Sequence, residues 1–130
     1  MTPGELRSIH SKGFAIGAHT MTHPILRLCD PATAKDEIGG AREELESIVR
    51  DRVTLFAYPN GHPVADFAEL HVKLVRQAGY LGAVTTQPGA AGFGSPIFQI
   101  PRFTPWGPDR LRMELQIIRN VLSTPTYLSA

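Results

Sequence analysis

The chain has 130 residues, 42% hydrophobic and 19% charged, with 13 Lys or Arg against 12 Asp or Glu and a formal net charge of +1. That length holds one domain with a sizeable core, but it is short of the roughly 200 residues that a complete α/β barrel uses. Charges of both signs are interspersed, which excludes a basic stripe for nucleic acid and a polybasic surface for lipid, and a neutral partner such as a glycan fits better.

In chain order, Thr2 and Glu5 have the spacing of a capping box, with Pro3 at the first helical position and Leu6, Ile9 and His10 along one face, so a short helix to about Lys12 is predicted. These first residues have neither the basic region nor the apolar core of a signal peptide, and no apolar run reaches the length of a membrane helix. As written, the chain reads as cytoplasmic. Gly13 should supply a left-handed stop, and Phe14 to Ala18 read as a short buried strand that ends at His19-Thr20-Met21-Thr22-His23-Pro24. Two imidazoles four residues apart, in a loop after a strand, could converge on a zinc-like cation; the bland alternative is a chance spacing. The single Cys29 has no internal disulfide partner and reads as a small core residue.

Asp30 then caps and Pro31 opens a long helix to about Arg50, with Ala34, Ile38, Ala41, Leu45, Ile48 and Val49 as its inward stripe and Lys35, Glu43, Glu44 and Glu46 toward water. Its Gly39-Gly40 pair predicts close packing or a bend. Val53 to Tyr58 are mostly apolar, as in a parallel strand buried on both faces. A loop at Pro59-Asn60-Gly61-His62-Pro63 precedes a helix from about Ala65 to Gly79 with Phe67, Leu70, Leu74, Val75 and Ala78 inward, and Tyr80 to Thr86 form the next strand. Gln87 to Pro96, rich in Gly and Pro, read as a mobile surface loop. A last strand is expected at Ile97–Pro101, and a closing helix from Pro108 and Asp109 to about Leu122, with Leu111, Leu115, Ile118 and Leu122 on one side. Strands alternating with helices imply a parallel sheet with right-handed crossovers.

Two blocks also carry a family likeness. His19-Thr20-Met21-Thr22-His23-Pro24 resembles the His-Ser/Thr-x-x-His-Pro motif of the polysaccharide deacetylases, and Phe56-Ala57-Tyr58-Pro59-Asn60-Gly61 resembles that family's next motif, a turn that forms one wall of the substrate groove. The likeness runs from about Thr2 to about Arg102. It implies a partial (β/α) barrel, residues 1–130 being a single partial domain, with His19 and His23 as ligands of a divalent metal, most simply zinc. It further implies an N-acetylated glycan as substrate and Tyr58, Pro59 and Asn60 as groove residues. Arg102, at a strand end, is a further candidate for substrate contact by charge-assisted hydrogen bonds, or a structural ion-pair donor. His62 in the groove turn and Trp106 are weaker candidates, Trp106 as a platform for a sugar face or as an anchor for the last helix.

Several family features are missing. No Thr-Phe-Asp-Asp block supplies the base and third metal ligand, Leu55 stands where many members have an arginine, and neither an Asp-x-x-Asp-Trp block nor a late Leu-x-His follows. No residue of this chain is therefore assigned a catalytic role. Asp30 and Asp36 are the nearest downstream carboxylates, but Asp30 reads as a helix cap and Asp36 as a solvated helix residue. The chain reads as the C-terminal portion of a deacetylase barrel, with open sheet edges that predict a homo-oligomer or a complementing N-terminal half. The alternative is a non-catalytic glycan-binding or assembly module. A small α/β protein with an accidental motif match would bind no metal.

Overall fold

Thr2 caps the first helix as its sequence requires: its amide donates to Glu5 Oε2 at 2.6 Å and its Oγ1 accepts from Glu5 N at 3.3 Å. In the computed structural model, which describes residues 1–107 and 109–129, this helix is α1 (Pro3–Ser11). It is followed by β1 (Gly17–Ala18), a 3₁₀ turn at Leu26–Leu28, α2 (Pro31–Val49), β2 (Leu55–Ala57), α3 (Glu69–Gln77), β3 (Gly82–Val84) and α4 (Arg110–Leu122). The strands pair in parallel in the order β1-β2-β3. Gly17 lies beside Leu55 and Leu55 beside Gly82, while Ala18, Phe56 and Ala83 form the next row. Alternating strands and helices with an unclosed parallel sheet form part of a (β/α) barrel, as the sequence predicts.

The two sheet faces differ. Ala18, Phe56 and Ala83 are each 1% exposed and meet Ile38, Val72 and Val75 from α2 and α3 in one core, with Tyr58, Phe67 and Tyr80 filling it. Aromatic contacts hold this layer, with Tyr58 stacked on Phe67 at 3.9 Å between centroids and Phe56 against Tyr80 at 5.1 Å. The other face is open: Leu55, flanked by two glycines, is 47% exposed. The expectation of a strand buried on both faces is thus corrected for β2, because no second layer covers its Leu55 side among the described residues. Phe14 is also exposed, and the predicted buried strand from Phe14 shortens to Gly17–Ala18.

The α2 stripe is as predicted: Ala34, Ile38, Ala41 and Val49 are buried, and Leu45 and Ile48 pack against the core. Asp30 Oδ1 accepts from Ala32 N and Thr33 N, both at 3.0 Å, and Arg50 closes the helix in the left-handed region. Glu46, expected to face water, instead accepts from Arg42 Nε and from Val53 N, each at 2.9 Å, and so ties α2 to the chain leading into β2. The same Arg42 reaches the Ala78 carbonyl beside Gly79, which has φ +86° and ends α3. Of the glycine pair, Gly39 has open space where a Cβ would be and Gly40 has only ordinary contact with Met21, so no close packing explains the pair.

The helix predicted from Ala65 starts four residues later. Asp66 is spent on the loop, accepting from His62 N at 2.7 Å, and the helix begins once Ala68 N donates to His71 Nδ1 at 2.9 Å. Within α3 Val72 is buried, and Leu70, expected inward, is 43% exposed. The last strand is reduced to a parallel bridge between Ile100 and Val84, extended by hydrogen bonds between Ala83 and both Ile97 and Ile100. The Gly- and Pro-rich segment is not wholly a surface loop, since Gln87 and Gly89 are buried. Gly89 exchanges two hydrogen bonds with the Asn120 amide of α4. Asp109 caps α4 as predicted, while Pro108 lies outside the described residues. The expected inward face of α4 is not buried: Leu111, Leu115, Ile118 and Leu122 are all more than half exposed, and the helix is held through Asn120 and Gln116 instead.

Candidate metal centre and groove

The candidate residues all follow the carboxyl ends of parallel strands, where α/β proteins gather their loops and chemistry. His19 leaves β1, Tyr58 to Asn60 leave β2, Thr86 follows β3, and Arg102 follows the Ile100 bridge.

The His19 and His23 rings stand edge to face with their centroids 4.7 Å apart. One contact fixes the chemistry of the first. His19 Nδ1 lies 2.7 Å from the Ala57 carbonyl, which can only accept, so Nδ1 is the donor and Nε2 is the nitrogen left over for another partner. A backbone carbonyl in that position is the usual outer partner of a metal-binding histidine. His23 is brought back toward His19 by a left-handed turn, with φ +61° at Thr20 and +60° at His23, and its amide donates to Thr20 Oγ1 at 3.1 Å. The His23 ring has no hydrogen-bond partner among the described residues.

The loop between the histidines is held by a residue that sequence reasoning passed over. Glu37, on α2, accepts from Met21 N at 2.8 Å and Thr22 N at 2.9 Å through Oε2, and from Thr22 Oγ1 at 2.6 Å through Oε1. Burial alone would raise its pKa, but the hydrogen bonds from Thr22 and Met21 outweigh it and hold the carboxyl below the usual range. Its only sequence signal was its place next to the inward Ile38, at the edge of the helix stripe. The two carboxylates weighed as replacement ligands do other things: Asp30 caps α2 and Asp36 is exposed.

Imidazole nitrogen is by its chemistry a suitable donor to a divalent cation. Among the described residues, however, no group of three or more His, Cys, Asp or Glu side chains is placed to hold a metal. His19 also lines a cavity of about 420 Å³ between α1 and α2, beside the unpaired edge of β1.

The groove residues separate into buried and exposed. Tyr58 is fully buried, and its hydroxyl donates to the Phe98 carbonyl at 3.1 Å. Burial pushes its pKa up. Pro59 is buried as well, so both lie beneath the turn, and the Tyr58 ring packs on Phe67. Asn60 is exposed at the tip with φ +54°, and Thr86 donates to its carbonyl. Arg102 is exposed and lines a cleft that meets the groove turn at Thr86. It forms no ion pair among the described residues, so the structural alternative weighed for it has no partner there. His62 is exposed and its backbone is bound by Asp66, and Trp106 is exposed on the Arg102 cleft. His71, on α3, is buried and caps the helix through its Nδ1, and burial lowers its pKa. Cys29 is half-buried against the core.

Comparison with known proteins bears on the family and the fold. Residues 1–83 match the family described as polysaccharide deacetylase. YxkH of Bacillus subtilis (strain 168), assigned as a polysaccharide deacetylase, is 24% identical over 102 residues, covering 78% of this chain and 35% of its own length. Among solved structures, the Streptococcus pyogenes deacetylase PplD in complex with acetate superposes with a TM-score of 0.73 at 20% identity, over 79% of this chain and 44% of that one. The polysaccharide deacetylase BC0361 of Bacillus cereus gives 0.69 at 27% identity, over 79% and 32%. This chain thus spans less than half the length of each of these relatives. No helix among the described residues is long and apolar enough to cross a membrane.

Proposed function

Because the chain belongs to the polysaccharide deacetylase family, we propose that it supplies the metal-binding loop and one wall of the groove of a hydrolase that removes N-acetyl groups from a glycan. The observation that carries this reading is the His19–His23 pair, 4.7 Å apart, with His19 Nδ1 occupied by the Ala57 carbonyl so that Nε2 is left for a cation. The overall reaction adds water across the amide C–N bond, releasing acetate and leaving an amine on the sugar. A bound divalent cation, most simply zinc, would supply Lewis-acid polarisation of the acetyl carbonyl and a more acidic water.

The chain's own residues bind and position. His19 and His23 would hold the cation, Glu37 keeps their loop closed, and Asn60 and Arg102 contact the glycan above the support of Tyr58 and Pro59. No base is assigned to this chain. The base and a third ligand would come from a complementing N-terminal half, for which the β1 edge, the Leu55 face and the apolar side of α4, all uncovered among the described residues, offer contact surface. Pairing of two copies through the same surfaces is the other assembly these edges allow.

The second reading, a non-catalytic glycan-binding or assembly module, is favoured by one observation, the lack of a three-ligand cluster among the described residues. Zinc content and acetate release measured on the same preparation separate the two. One zinc per chain that is lost in His19→Ala, with acetate released from an N-acetylglucosamine oligomer when the complementing half is present, supports the hydrolase. Glycan binding without zinc or acetate release sinks it in favour of the module, and a clean monomer by gel filtration sinks the homo-oligomer.

A further inference from the structure

Beyond the histidine loop, the chain places three guanidinium groups around one opening. Arg102, Arg112 and Arg119 line a cleft of about 670 Å³ with Trp106, Gln116 and Asn120, and no carboxylate lines it among the described residues. The imbalance is local, since the whole chain carries a formal charge of only +1. Arg110, which does not line the cleft, is matched by Glu114 at 2.8 Å, whereas Arg102, Arg112 and Arg119 form no ion pair among the described residues. Like charges gathered in a concave site repel one another and focus a positive potential, which an anion relieves. Guanidinium groups also match carboxylate and phosphate oxygens in a bidentate fork.

The cleft is built as well as charged. Gln116 holds the Trp106 backbone from both sides, accepting from Trp106 N at 2.9 Å and donating to Trp106 O at 2.8 Å. Asn120 clips α4 to Gly89 in the same way, so the polar side of α4 faces the cleft although its apolar side is uncovered. Trp106 itself is 76% exposed, a flat apolar surface of the kind that stacks on sugar rings. Thr86, on the cleft wall, bonds to Asn60, so the cleft continues the groove turn along the carboxyl ends of the strands.

We propose that this cleft binds an acidic substituent of a glycan, a carboxylate or a phosphate, held by Arg112 and Arg119 while the sugar bearing it lies on Trp106. The proposal rests on the glycan-directed reading of the groove and adds the class of glycan it accepts: an anionic one. Trp106 is the sole tryptophan, so its emission reports on the cleft directly.

The test titrates the protein with two oligosaccharides of equal length, one alternating N-acetylhexosamine with uronic acid and one of neutral N-acetylhexosamine alone. The acidic oligomer is expected to shift Trp106 emission and to bind roughly tenfold more tightly, with that margin shrinking in high salt. Arg112→Gln and Arg119→Gln, both at exposed positions, should each weaken the acidic oligomer by roughly fivefold and leave the neutral one unchanged. Equal affinity for both oligomers, or a double variant that still binds the acidic one like the parent, overturns the proposal. Displacement of the acidic oligomer by inorganic phosphate at lower concentration than by acetate assigns a phosphate, and the reverse order a carboxylate; displacement by neither overturns it. Zinc measured on the same samples keeps the two readings apart. With the complementing half present, a charge-dependent Trp106 response without zinc or acetate release sinks the hydrolase and keeps the cleft, and zinc with acetate release but without such a response does the opposite.

Discussion

Replacing Glu37 tests whether the histidine loop is held from α2. Its carboxylate takes three hydrogen bonds at 2.6 to 2.9 Å, two from backbone amides and one from Thr22 Oγ1. Hydrogen bonds to a charged acceptor contribute about 1.5–3 kcal/mol each in protected settings, and here the loop side is exposed, so water replaces part of that. Taking about 1 kcal/mol per bond, Glu37→Ala should release the loop by about 3 kcal/mol, and Glu37→Gln, which keeps an acceptor but not the charge, by about 1 kcal/mol. That free energy holds both rings in one arrangement, and a cation that needs the arrangement must now supply it. At 1.4 kcal/mol per factor of ten, zinc affinity should fall by roughly a hundredfold in Glu37→Ala and roughly fivefold in Glu37→Gln. Competition with a chromophoric chelator measures the affinity. Amide hydrogen exchange at Met21 and Thr22 measures the loop without metal, and both amides should lose protection in the same order, alanine before glutamine. Unchanged exchange at these two amides in Glu37→Ala would refute the reasoning, whatever the zinc affinity does.

Two further outcomes follow from the packing. Gly79 has φ +86°, and a Cβ there would fall on the Arg42 guanidinium that caps the end of α3; Gly79→Ala should cost about 2 kcal/mol and lower the melting temperature by roughly 4–8 °C, and an unchanged melting curve would contradict the assigned contact. His71 is neutral and buried, its pKa lowered below 6.5 chiefly by desolvation, with Arg27 adding to the effect. The unfolded chain therefore binds the proton more readily, so this stabilisation is complete above about pH 6.5 and is lost progressively as pH falls below it. Chemical denaturation across pH 5 to 8 should show the loss in the parent and less of it in His71→Asn, whose side-chain oxygen can still accept from Ala68 N; parallel slopes would count against the assignment.

Much of the helix layer was legible residue by residue. The Thr2–Glu5 box, the Asp30 cap with Pro31 and the α2 stripe are local signals, set by partners within four residues, and they appear as predicted. The histidine motif was legible for the same reason, since one turn of chain carries both rings. What contacts distant in the chain decide was not legible. Glu46 looked like a solvent residue until Val53 and Arg42 were folded against it, and Glu37 gave no sign that it would bind a loop fifteen residues earlier. Tyr58 read as a groove residue because its motif borders the groove, yet its ring points to the core, where Phe67 stacks on it.

The sequence by itself determined that this is a parallel α/β chain with a His-x-x-x-His loop after a strand, because periodicity and caps depend on near neighbours. Only the tertiary structure decided which faces are covered. Apolar content on Phe14, Leu55 and the Leu111–Leu122 side of α4 promised burial, but burial requires an opposing layer, and the described residues supply one only on the side of Phe56. Hydrophobic pattern states what a face would gain by being covered, and packing alone says whether anything covers it.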